Sequence, residues 1–148
     1  MNLKKLPLGI QTFSNIIRDN YIYIDKTDLA LELIENNKYV FLSRPRRFGK
    51  SLFLDTLHNI FEGKKELFKG LDIYDRYNFE EYPVIKMDWA GNFKTLGSTK
   101  KVAKKVFEKN QKRLGIECDF DIEEPGMCFV NLIELAYEKY KKPVVILI

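Results

Sequence analysis

Ser43-Arg44-Pro45-Arg46-Arg47-Phe48-Gly49-Lys50-Ser51 is the stretch on which the reading of this chain turns. Before it stands a short apolar run, Tyr39-Val40-Phe41-Leu42, which predicts a strand buried on both faces. After it, Leu54, Leu57, Ile60 and Phe61 recur at helical spacing and predict an amphipathic helix, with Gly63 to end it. A loop between a buried strand and a helix start is the setting of a phosphate-binding loop. The general pattern is GxxxxGK followed by Ser or Thr. Gly49, Lys50 and Ser51 match it, whereas Arg44 stands where the first glycine belongs.

The matching residues have a definite chemistry. Gly49 lets the backbone approach an anion with no Cβ in the way, and the free N–H groups of the helix start point toward that anion. Lys50 is a mobile point charge suited to β- and γ-phosphates. The Ser51 hydroxyl suits Mg²⁺, which keeps several waters and bridges phosphate oxygens. Arg46 and Arg47 either flank phosphates or are solvated loop charges. Arg44 precedes a proline, which favours an extended backbone and a structural role.

Working outward, Tyr21–Ile24 is a β-like run, and Thr27 is placed to cap a helix carrying Leu29, Ala30, Leu33 and Ile34. Pro83 leads to a second strand, Val84–Met87. Gly91 and Gly97 frame a loop before a basic helix with a stripe of Val102, Val106 and Phe107. After Pro125-Gly126 another helix shows Phe129, Val130, Ile133, Ala136, Tyr137 and Tyr140, and Pro143 opens a last strand, Val144–Ile148. Strand, helix, strand, helix, helix, strand is the rhythm of an α/β domain with a mainly parallel sheet.

At 148 residues the chain has room for one domain, and its 45% hydrophobic content is too high for a disordered chain. Its longest apolar run has five residues, Val144–Ile148, so a membrane span is excluded. Lys4 and Lys5 are followed by no apolar stretch of the secretory kind. Cys118 and Cys128 form no CxxC pair, and His58 is the one histidine. Inert thiols, no structural metal and a cytoplasmic setting are therefore expected. The net charge of +4 is unevenly spread. From Thr99 to Leu114 stand Lys100, Lys101, Lys104, Lys105, Lys109, Lys112 and Arg113 against Glu108 alone, and Glu117, Asp119, Asp121, Glu123 and Glu124 follow. The lysines read as spread over much of the helix circumference, so a solvated face is preferred over a nucleic-acid contact.

The run RPRRFGKS resembles the Walker A signature of the predicted AAA-ATPase-like family of bacterial P-loop proteins, RPRRFGK followed by Ser or Thr. The resemblance extends along the chain. Leu6-Pro-Leu-Gly-Ile-Gln-Thr-Phe13 is similar to the family's LPxGxxxF start, and Tyr21-Ile-Tyr-Ile-Asp-Lys-Thr27 to its YxVDKT motif. Leu67-Phe-Lys-Gly-Leu71 is similar to its LFxGL segment, and Tyr82-Pro-Val-Ile85 to the strand that follows. This resemblance implies a P-loop NTPase-like three-layer sandwich with a mainly parallel sheet, of which residues 1–148 are the N-terminal part of a single domain.

It implies ATP and Mg²⁺ as ligands, with Arg46, Arg47, Phe48, Gly49, Lys50 and Ser51 at the nucleotide and Ser51 on the metal. The segment Asp25, Lys26 and Thr27 is the candidate adenine side. Val144–Ile148 corresponds to the Walker B strand, which in the family closes with Asp-Glu; the sequence stops one residue short of that aspartate. Nucleotide binding with little or no hydrolysis is the resulting expectation. In this class a later strand lies between the Walker A and Walker B strands. A vacant sheet position is therefore expected, inviting self-association or a completing polypeptide. The alternatives are a non-catalytic interaction fragment and a nucleic-acid-binding module using helix 99–114. Asp88 reads as a turn former at a strand end, Trp89 as packing, and His58 as non-catalytic.

Overall fold

Apolar residues at helical spacing form the helices the sequence predicts, and the structure sets them into two units. It is a computed structural model describing residues 3–121 and 123–148. The first unit closes at Glu81 and the second spans Tyr82–Ile148.

In the first unit, α1 (Phe13–Arg18), α2 (Thr27–Asn36) and α3 (Lys50–Phe61) surround an apolar cluster of Phe13, Ala30, Leu31, Ile60, Leu67, Phe68, Ile73 and Phe79. Its centre is aromatic. Phe13 stacks on Phe68 at 4.7 Å between centroids and meets Tyr23 edge-on at 5.1 Å, geometries that add to simple area burial. Two 3₁₀ turns, Lys65–Phe68 and Asp72–Asp75, carry Leu67, Phe68 and Ile73, and Phe79 follows them. Gly63 does follow the end of α3, with φ of 70°, and a Cβ there would lie 2.9 Å from the Phe79 carbonyl oxygen.

The buried face of α3 is partly polar, with Asp55, Thr56 and Asn59 beside Ile60, whereas Leu54, Leu57 and Phe61 are only half-buried. The Asp55 carboxylate accepts the Phe13 backbone N–H at 2.8 Å and the Asn59 amide at 3.4 Å. His58 lies 3.0 Å from the Glu62 carboxylate, which also pairs with Lys64 at 2.6 Å. Burial pushes the Glu62 carboxyl up, but the hydrogen bonds and charges of His58 and Lys64 outweigh it and hold the group at about 2.

Two apolar runs differ from expectation. Tyr39–Leu42 is not a strand; Tyr39 is 86% and Phe41 93% exposed, with no backbone pairing among the described residues. An apolar run becomes a strand only where a neighbour satisfies its amides and carbonyls, and none of the described residues of the unit does so. Tyr21–Ile24 makes a single parallel bridge, Lys5 to Tyr21.

The second unit holds the sheet. Strands β1 (Val84–Lys86) and β2 (Val145–Leu147) run parallel with Ile85 opposite Ile146. Helices α4 (Leu96–Leu114) and α5 (Pro125–Tyr140) complete the unit around Ile85, Met87, Val106, Phe107, Leu132 and Ala136. This two-stranded sheet is narrower than the mainly parallel sandwich the resemblance implies. The buried stripe of α5 is Cys128, Leu132 and Ala136, a strict i, i+4 row, which leaves Val130 and Tyr137 outside. A Thr95–Ser98 capping box opens α4, and Gly115, at φ of 62°, closes it. Cys118 and Cys128 are joined in a disulfide, with Cα atoms 5.4 Å apart, contrary to the expectation of two inert thiols. A turn after α4 brings them together over ten residues of sequence, which a search for CxxC spacing does not detect.

Asn110 is the residue that fixes α4 to the sheet. Its amide oxygen accepts the Lys86 N–H at 2.8 Å, and its NH₂ donates to the Lys86 carbonyl at 2.9 Å and the Val106 carbonyl at 2.8 Å. Arg113 donates to the Val84 carbonyl and to Asn110. Side chains of α4 thus occupy the edge of β1 that faces away from β2. On the far side of β2, the register turns the Ile146 N–H and C=O away from β1, and no described residue bonds to them.

Asn110→Ala removes both amide bonds to Lys86 and should lower stability by about 2 kcal/mol in urea unfolding. Because the folded Glu62 carboxyl lies below its ordinary 4.5, its contribution is complete above that pH and is lost as pH falls toward about 2. Acid titration of stability should therefore steepen between those values. Glu62→Gln should flatten that part of the curve.

Candidate phosphate-binding loop

The loop between Leu42 and α3 is shaped by two left-handed residues. Gly49, at φ of 76° and ψ of 13°, is the residue from which α3 starts, and Arg47 has φ of 67°. The Gly49 position is open, with nothing within 4 Å of an added Cβ, so glycine is required there by backbone conformation and not by space. Arg47 holds the same conformation with a side chain, a local cost of about 1–2 kcal/mol. Strained loop residues of this kind cluster at ligand clamps and switch regions.

Lys50, the first residue of α3, folds back over the loop. Its ammonium donates to the Arg44 carbonyl at 2.6 Å and to the Pro45 carbonyl at 2.9 Å. An ammonium has three donors, so two hold the loop and one is left for a ligand. The Phe53 N–H bonds the Gly49 carbonyl at 2.9 Å as the helical ladder begins. Amides before it, in the first helical turn, have no preceding turn to bond. Arg44, Arg46 and Arg47 are exposed, as are Phe48 and Ser51, while Lys50 is half-buried. None of the four cations forms an ion pair among the described residues. The loop is therefore a cluster of positive charge set on a helix N-terminus, where the helix dipole adds to it.

The seat of this loop is the polar stripe of α3. Asp55 ties the helix to α1 through Phe13, the Thr56 hydroxyl donates to the Leu52 carbonyl at 2.9 Å, and burial pushes the Tyr23 phenol up. The structure thus brings Arg46, Arg47, Phe48, Gly49, Lys50 and Ser51 together as one loop and helix start. What side-chain motifs miss is that Lys50 is positioned by backbone carbonyls, one of them belonging to Arg44.

The Asp25-Lys26-Thr27 segment is tied elsewhere in the unit. Asp25 accepts the Thr27 N–H at 2.9 Å and the Thr27 hydroxyl at 2.7 Å with one oxygen, and the Asp72 N–H at 2.8 Å with the other. The buried Thr27 hydroxyl accepts the Ile73 N–H at 3.2 Å. Burial pushes the Asp25 carboxyl up, but these hydrogen bonds outweigh it and lower it below its ordinary value. Thr27 is the first residue of α2 and not its cap; its hydroxyl is used on the Asp72–Asp75 turn. Lys26 is exposed. At the end of β1, Asp88 accepts the Ala90 N–H at 3.1 Å, the local turn expected of it. Trp89 beside it is 40% exposed, so it packs only in part.

No helix among the described residues is long and apolar enough to cross a membrane. Comparison with known proteins adds the following. The chain is 42% identical over 153 residues to a protein of Azotobacter chroococcum mcd 1 described as an uncharacterized protein in the vnfD 5' region. The alignment takes in all of this chain and 29% of that relative. No solved structure matches. The sequence model of the family described as Predicted AAA-ATPase matches residues 7–148, so the chain belongs to that family.

Proposed function

We propose that this chain binds ATP with Mg²⁺ through the loop Arg44–Ser51, as the P-loop of an AAA-type ATPase. One observation carries the reading. The Lys50 ammonium is held over the loop by the Arg44 and Pro45 carbonyls, with a donor left for a phosphate oxygen. A phosphate chain fits the residues present, which are four cations without acidic partners among the described residues, a glycine in the left-handed region and the first amides of α3.

Arg46 and Arg47 supply planar donors at the rim, and Phe48 lies between them and Gly49. Ser51 offers an exposed hydroxyl in the first turn of α3, the position suited to Mg²⁺. When bound, Mg²⁺ neutralises charge on the phosphate oxygens. The remaining Lys50 donor then meets an anionic oxygen, a stronger partner than the neutral carbonyls that hold the ammonium in place. Asp25, Lys26 and Thr27 are proposed as the adenine side, with Lys26 the exposed member and Asp25 and Thr27 the backbone brace. The fold proposed for the complete module is the three-layer P-loop sandwich. Hydrolysis in such a module draws on the Asp-Glu pair implied after Val144–Ile148. Nucleotide binding is the part of that activity proposed for residues 1–148.

A second reading rests on the open side of β2, where Ile146 presents an unbonded N–H and C=O among the described residues. We propose that this edge pairs with a strand of another polypeptide segment, or of a second copy. Sedimentation velocity over a range of concentrations should show self-association, and a sharp monomer throughout would overturn pairing between copies.

Calorimetry with Mg²⁺-ATP should show binding by the chain, weakened at least about tenfold by Lys50→Ala. Lys50 bonds only an exposed loop, so that substitution should change stability by no more than about 0.5 kcal/mol. Absence of binding by both forms, each with an intact melt, would sink the nucleotide reading.

A further inference from the structure

The basic helix has a different geometry from the one its sequence suggests. Lys101, Lys104, Lys105, Lys109 and Lys112 are all exposed, and at 100° per residue they fall within an arc of about 140°. Glu108 is the one acid in that arc, 3.9 Å from Lys104. Lys100 lies outside it, partly buried and paired with Glu123 at 2.9 Å. Arg113 also lies outside it, donating to the Val84 carbonyl and to Asn110, and the rest of the circumference carries Ala103, Val106, Phe107, Asn110 and Leu114, packed into the unit or bonded to β1. The charge is therefore gathered on one side and not spread around the helix.

This gathering works against the helix itself. An ordinary solvated face interleaves Glu and Lys at i, i+4, where the pairs attract. Here Lys101 faces Lys105, Lys105 faces Lys109, and Lys100 faces Lys104, all like-charged. Apart from Glu108, the acids of the same unit lie off α4, with Glu117, Asp119, Glu134 and Glu138 together lining a groove of the loop and α5. Among the described residues, Lys101, Lys105, Lys109 and Lys112 form no ion pair.

We propose that this face of α4 binds a nucleic-acid backbone, each lysine meeting a phosphate. From Lys101 to Lys112 the row runs about 16 Å, which suits a linear polyanion and not a single anion, whose donors would converge. The arc contains no aromatic or aliphatic anchor, and lysine is depleted from protein–protein interfaces, so an acidic protein partner fits less well. The apolar side of α4 is committed to the core, so the helix has nothing to insert into a membrane. The proposal is independent of nucleotide binding at Lys50.

The test uses the whole chain and a fluorescent mixed-sequence 20-base-pair DNA. If four lysines meet phosphates, raising salt from 50 to 200 mM should weaken binding by roughly 100-fold. Lys101→Glu should weaken it by at least about tenfold and lower the salt slope by about one. The same substitution should raise the melting temperature by about 1–3 °C, because it turns the repulsion with Lys105 into attraction. Opposite changes in affinity and stability are the signature; a merely solvated face gains stability and has no binding to lose. A Lys109→Gln, Lys112→Gln double variant, which introduces no new charge, should also weaken binding and lower the slope. Four results would overturn the proposal. They are no binding at 50 mM salt, binding that all these substitutions leave intact, competition by polyglutamate equal to that of DNA, or tighter binding to phosphatidylglycerol vesicles than to DNA.

Discussion

A buried carboxylate holds the first unit in register. Asp55 sits on the inner side of α3 and takes the backbone N–H of Phe13, the first residue of α1 and a centre of the aromatic cluster. A carboxylate in such a place is costly unless bonded, so helix and partner are fixed together. Everything at the loop follows from that seat. The start of α3 sets the direction of its first amides, the Gly49 turn sets where the chain arrives, and Lys50 reaches back from a helix that does not roll. The loop's charge is exposed, but its frame is not.

The two units use polar side chains in the same way. In the first, Asp25 and Thr27 satisfy backbone groups of the Asp72–Asp75 turn; in the second, Asn110 and Arg113 satisfy those of β1. In each case a side chain from a distant part of the sequence takes the place of a pairing stretch of backbone. Segments with few regular neighbours are thereby kept in place without long ladders of sheet hydrogen bonds.

Much of this was legible in the sequence. Helical periodicity located α2, α3, α4 and α5, and the proline-led apolar runs located both strands of the second unit. The Gly-Lys-Ser run singled out the loop, because glycine, ammonium and hydroxyl at that spacing suit an anion at a helix start. Tyr39–Leu42 was misread because apolarity records a tendency to be buried, whereas strand formation also needs a neighbouring backbone. The carbonyls that hold Lys50 belong to every residue type alike and leave no trace in a motif. Asn110 was invisible for a related reason: one polar residue in a helix rich in lysine looks like another solvated position. The charge of α4 was counted correctly but placed wrongly around the axis, since the true buried stripe takes in Ala103, Asn110 and Leu114 as well as valine and phenylalanine.

The arrangement at Asn110 restricts what substitution can do there. Its side chain must offer an acceptor and a donor to the same peptide, Lys86, and a further donor to the carbonyl one turn earlier. Among the twenty residues only the two amides carry both functions on one short planar group, and glutamine's extra methylene would carry that group away from the Lys86 peptide it now meets at 2.8 and 2.9 Å. Leucine would fill the space and leave the amide of Lys86 without this partner; aspartate would supply the acceptor and lose the donors. Position 110 therefore has almost no synonyms, while the exposed lysines a few residues away can be exchanged for most polar residues without disturbing the fold. Within a single helix, the freedom to vary changes from nearly none to nearly complete over less than one turn.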